Sequence, residues 1–224
     1  MRKKLVVILN ILIIALAIIG TGMMVFYRPK GAMLTTSGLE NLKYFTVLSN
    51  EFCAIVACLW MVLFVRGKVG SPDKPGASES PRRWMVILKL LGAATTGLTF
   101  LVVAAFLLPI YRRLSLYMGA NLVFHLILPL AAMFEFAVMD IGKEKMPFKY
   151  TFFAVIPVLV YGTVYLVNIL INGIGEAPQF NDWYGFLNWG YPVGVCIYIG
   201  IALAAWGIAC FLRWVNYKFL IKEK

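Results

Sequence analysis

Charge is scarce in this chain. Of its 224 residues only 14% are Asp, Glu, Lys or Arg, 62% are hydrophobic, and mean hydropathy is +0.84. A soluble globular domain carries about a quarter charged residues and roughly half apolar ones. The composition excludes such a domain and makes lipid the solvent for most of the chain. Histidine is scarcer still, with His125 the single one. One histidine, with no clustered cysteines or carboxylates, supplies no zinc site of the usual ligand number, and haem held by two histidines is excluded within one chain. The four cysteines, Cys53, Cys58, Cys196 and Cys210, fall inside apolar runs without CxxC spacing and read as small core residues. A Gly-rich phosphate loop and a GxSxG elbow are both missing. No metal or cofactor is therefore expected. Period-two alternation is absent as well, and the apolar runs far exceed the roughly 10 residues of a tilted barrel strand.

What is present is a series of long apolar runs. Crossing the hydrocarbon takes about 20 such residues per helix, and six runs qualify, over 5–27, 44–65, 84–109, 117–139, 150–172 and 189–212. The expected fold is all-α, a polytopic membrane protein built as one six-helix transmembrane domain over 1–224. The first run follows Arg2, Lys3 and Lys4 but outlasts the 7 to 15 residues or so of a signal-peptide core, so it is expected to stay as the first helix. Residues 70–81, rich in Pro, Gly and Ser, read as a solvated cytoplasmic linker.

Basic residues orient the bundle, because short loops rich in Lys and Arg stay on the cytoplasmic side. With the N-terminus inside, fifteen basic residues are cytoplasmic, and five (Arg28, Lys30, Lys43, Arg112, Arg113) lie opposite. Both termini are thus expected in the cytoplasm. The net charge of +11 then follows from topology and attraction to anionic lipid, with no nucleic-acid partner implied. Membrane lipids are the expected surroundings, and oligomeric state is not legible.

Function is sought where polar groups sit at depth, since an ionisable residue at a helix centre costs on the order of 2.5–3.5 kcal/mol. Glu51, His125 and Glu135 meet that description. Helical phase groups Asn121, His125, Leu128, Ala132 and Glu135 on one side of the fourth span, and Thr46, Ser49, Asn50, Cys53 and Ala57 on one side of the second. Thr46, Ser49, Asn50, Asn121, His125, Tyr165, Asn168, Asn188 and Tyr191 all fall in the outer half, which brings a hydroxyl and an imidazole to compatible depths. That is a necessary condition for a nucleophile activated by a histidine base. The segment 174–189, with its Gly, Pro, Asn, Asp and Trp, is long enough to fold over the outer mouth as a lid.

Two stretches carry a resemblance. Lys43-Tyr44-Phe45-Thr46-Val47-Leu48-Ser49-Asn50 opening the second span, and Asn121-Leu-Val-Phe-His125 followed by Pro129 and Glu135 in the fourth, resemble the androgen-induced gene product family of multi-pass membrane proteins and its bacterial branch. Animal members of that family are described as intramembrane threonine hydrolases that cleave fatty acid esters of hydroxy fatty acids. The resemblance implies Thr46 as nucleophile, His125 as general base and a lipid ester as substrate. Ser49, Asn50 and Asn121 are then the candidates for substrate or oxyanion contacts. The competing expectation is a small transporter or lipid-binding protein that uses the buried His125, Glu51 and Glu135. Compact loops and the basic N-terminus suit a bacterial plasma membrane.

Overall fold

A computed structural model describes residues 2–26, 38–69, 83–110, 116–139, 141, 145–175 and 181–221. The expected linker 70–81 lies outside the described residues, as do Arg28, Lys30, Arg112 and Arg113. Among the described residues six helices are long and apolar enough to cross a membrane: α1 Lys3–Phe26, α2 Phe45–Val65, α3 Arg83–Leu107, α4 Ala120–Val138, α5 Phe148–Asn172 and α6 Tyr191–Phe219. There is no strand among the described residues. The chain is a multi-pass membrane protein of the all-α class.

Helix ends differ from the apolar runs for local reasons. Expected from 117, α4 starts at Ala120 because Gly119 just before it has φ +56, a left-handed conformation that only glycine adopts freely. The last helix runs well past Leu212, through Arg213, Trp214 and Lys218. The fall in hydropathy there marks the edge of the membrane, whereas the backbone continues as helix into the polar zone.

Prolines remodel three helices. A helical proline removes one N–H and clashes with the carbonyl four residues earlier. Those carbonyls belong to Ala105, His125 and Phe153, for Pro109, Pro129 and Pro157. At the first two the backbone widens into π-turns, Val103–Leu107 and Val123–Ile127, and before the third it tightens into the 3-10 turn Phe148–Val155.

Packing is uneven. α3 is the central helix, with 61% of its most apolar window buried, against 22% for α5 and 17% for α6. Apolar side chains on α5 and α6 face lipid without penalty, because lipid tails are as apolar as leucine; helix association rests instead on close packing and polar contacts. Close packing is visible at glycines. A Cβ on Gly92 would lie 3.4 Å from Cys53 Sγ, and one on Gly20 would fall 2.6 Å from the Phe124 ring.

Polar contacts close the inner end. Asn216 of α6, buried, donates its amide to the carbonyls of Phe136, Ala137 and Met139 at 2.8–3.2 Å, capping the end of α4 where carbonyls lack intrahelical donors. Its own Oδ1 has no partner among the described residues, so the amide protons are what the position supplies. Replacing Asn216 with alanine is expected to cost about 1–3 kcal/mol, the penalty for buried unsatisfied groups, read as a lowered thermal midpoint in detergent. An unchanged midpoint would remove this cap from the account.

Candidate active site

Thr46 is the second residue of α2, half-buried, one turn above the buried pair Ser49 and Asn50. Its carbonyl accepts from Ser49 Oγ at 3.0 Å and from Asn50 Nδ2 at 2.6 Å. The Thr46 hydroxyl has no hydrogen-bond partner among the described residues. The first N–H groups of any helix point out of its end; the Tyr184 hydroxyl accepts that of Phe45 at 2.8 Å, and the next belongs to Thr46.

His125 sits in the middle of the π-turn of α4, half-buried. Its Nδ1 lies 2.8 Å from the carbonyl of Leu116. A carbonyl only accepts, so Nδ1 carries the proton and Nε2 keeps its lone pair. This backbone carbonyl is the group that orients the imidazole.

The second and fourth spans meet here. Asn50, completely buried, donates also to the carbonyl of Phe124 at 3.1 Å. Val47, Cys53, Ala54 and Ala57 of α2 and Phe124, Leu128, Ala131 and Ala132 of α4 share one core with Ile13 and Ala17 of α1. The backbone of Thr46 and the residue before His125 therefore lie within reach of one side-chain amide. Both protons of that amide are taken by carbonyls, which leaves none for an oxyanion. Ser49 is likewise engaged, with its hydroxyl 3.3 Å from that of Thr99 on α3.

The expected stripe along α4 is broken. Leu128, Ala132 and Glu135 are buried, His125 is half-buried and Asn121 is exposed. The π-turn inserts one residue, so everything before it is rotated by about 100° relative to a regular helix. The buried positions there become Val123 and Phe124. Glu51 accepts from the hydroxyl of Thr21 on α1.

Residues 181–190, before α6, pack on α5 and on the start of α2. Asp182, 6% exposed, accepts from the Tyr165 hydroxyl and from the N–H groups of Phe186 at 3.0 Å and Leu187 at 2.9 Å. Trp183 Nε1 donates to the Tyr161 hydroxyl, which itself donates to the carbonyl of Lys43 at 2.6 Å. The Lys43 ammonium stands 5.6 Å from the Tyr44 ring and 5.5 Å from the Trp183 ring. Burial pushes the phenol of Tyr184 well above its ordinary 10.0, so it remains a neutral acceptor for Phe45 at any physiological pH. Asp182 holds the loop together from below. Its replacement by alanine is expected to raise proteolysis within 181–190 severalfold while the six spans stay intact; unchanged cleavage would argue that the aromatic rings alone hold the loop.

The inner half holds a group that hydropathy conceals. Lys89 of α3, 4% exposed, lies with Nζ 3.1 Å from Glu135 Oε1. Asn10 of α1 donates to Glu135 at 2.9 Å and accepts from Lys89, and the Trp60 ring lies 5.8 Å from the ammonium. Lys89 is absent from both sides of the charge count because it belongs to neither loop; a single basic residue between Leu88 and Leu90 was the available signal.

Comparison of the chain with protein-family models, curated proteins and solved structures gives no significant match.

Proposed function

We propose that this protein is an intramembrane hydrolase of lipid esters, with Thr46 as nucleophile, His125 as general base and fatty acid esters of hydroxy fatty acids or related lipids as substrates, acting in a bacterial plasma membrane. The observation that carries the reading is the Asn50 amide, which joins the carbonyl of Thr46 to that of Phe124 beside the only histidine. The tautomer supports it further, because Nδ1–H donates to Leu116 and leaves Nε2 free to accept a proton.

The chemistry follows from these groups. Nε2 of His125 takes the Thr46 hydroxyl proton as Oγ1 attacks the ester carbonyl. The Thr46 N–H, in the first turn of α2, stabilises the oxyanion in this reading, with the positive end of the helix behind it. Collapse breaks the ester C–O bond, and the alcohol leaves with the proton from His125. Water then attacks acyl-Thr46, gives a proton to His125 and releases the acid, and Oγ1 recovers its proton. A second reading, a transporter or lipid-binding protein, is favoured by the buried Lys89–Glu135 pair, since ionisable groups at depth commonly mark proton or solute sites.

The two readings separate in one experiment. Membranes holding equal amounts of the parent, Thr46→Ala and His125→Ala are treated with a fluorophosphonate probe. The hydrolase reading expects labelling in the parent alone. Labelling indifferent to Thr46, or none in the parent, would overturn it in favour of the transporter or binding protein.

A further inference from the structure

We infer that Asn50 is a positioning residue that sets the spacing of Thr46 and His125, and that the π-turn of α4 exists in part to receive it. The inference rests on the hydrolase reading for its catalytic meaning, while the geometry it asserts stands apart from that reading.

The starting point is Pro129. In the π-turn Val123–Ile127 the N–H of Leu128 bonds to the carbonyl of Val123, five residues back, instead of to Phe124. The next donor along, residue 129, is a proline without an N–H. The carbonyl of Phe124 is thus left without a helical donor inside a buried core, where an unpaired polar group costs free energy comparable to a lost hydrogen bond. Asn50 supplies that donor from the neighbouring helix at 3.1 Å.

The other amide proton fixes the nucleophile's side of the joint. It goes to the carbonyl of Thr46, one turn back, at 2.6 Å. Asn50 Oδ1 is buried and has no partner among the described residues. Turning the amide over would set that oxygen against two carbonyl oxygens, so only one orientation satisfies the joint. The Phe124 ring packs on Gly20 of α1, where a Cβ would be 2.6 Å from it, which holds the π-turn from behind. Thr46 and His125 are each one short step from this single amide, along α2 and along the π-turn.

Cross-linking tests the spacing without calling on catalysis. In a chain whose four cysteines are replaced by alanine, Thr46→Cys with His125→Cys is expected to form a disulfide under mild oxidant, at least tenfold more slowly when Asn50→Leu is added. The control is a second chain that keeps Cys53, has the other three cysteines replaced by alanine and carries Gly92→Cys, where the new Cβ lies 3.4 Å from Sγ; its rate should not depend on residue 50. Equal rates for the test pair with Asn and Leu, slowing of both pairs together, or no cross-link with Asn50 present would each overturn the assignment. In the enzyme, Asn50→Leu is expected to lower kcat by about 10- to 100-fold with KM within twofold. Should Thr46→Ala retain full turnover, the hydrolase reading falls while the cross-linking rates still decide the role of Asn50.

Discussion

Replacing Lys89 with methionine is expected to cost the fold about 3–5 kcal/mol, the penalty for leaving one member of a buried ion pair without its partner. Lys89 and Glu135 are 4% and 2% exposed with Nζ and Oε1 3.1 Å apart, and Asn10 bonds to both, so three helices meet at one charge. Without the ammonium, the buried Glu135 carboxylate keeps the Asn10 amide as its one side-chain donor among the described residues. In a bundle whose net stability is of that same order, most of the protein should fail to appear as a monodisperse species in detergent. The double variant Lys89→Met with Glu135→Gln removes both charges and keeps an acceptor for Asn10. It should recover most of the lost material, since well-packed neutral replacements of a buried pair are often tolerated. Recovery means that the pair is a structural joint. If the double variant folds no better than the single one, Lys89 has a further role that the Glu135 contact does not account for.

The second large effect falls on Thr46 and His125. Thr46→Ala removes the nucleophile, and ester turnover should fall to background. Thr46→Ser keeps a hydroxyl on the same Cβ and should retain measurable turnover, which a purely structural role for the γ-methyl would not produce. His125→Ala should lower kcat by about 10²–10⁴-fold, the range for a positioned general base, at similar KM. Turnover in Thr46→Ala equal to that of the parent would remove Thr46 from the chemistry.

Sequence reading reached the helices more easily than the site. Length and apolarity define a span, and the six spans lie where the apolar runs do. The site depends on what a regular 100° step per residue does not contain. Pro129 is plain in the sequence, but whether a proline is absorbed by a π-turn, a 3-10 turn or a kink depends on the neighbours it packs against, and the inserted residue is what moves Asn121 off the expected face. Lys89 escaped because one charge does not lower the mean of a 20-residue window enough to break a run. The bridge from Asn50 to Phe124 joins residues 74 positions apart, a contact of tertiary packing that no local pattern announces. The polar face of α2, Ser49, Asn50, Cys53 and Ala57, was legible; its partner was not.

The measurement that goes most directly to the central claim is the position of the phosphonyl adduct. Protein labelled with a fluorophosphonate is digested and its peptides are sequenced by mass spectrometry. The account predicts one modified residue, Thr46, with modification lost in His125→Ala and retained, on residue 46, in Thr46→Ser. Modification on Ser49 or any other residue, or none on the folded parent protein, would contradict it.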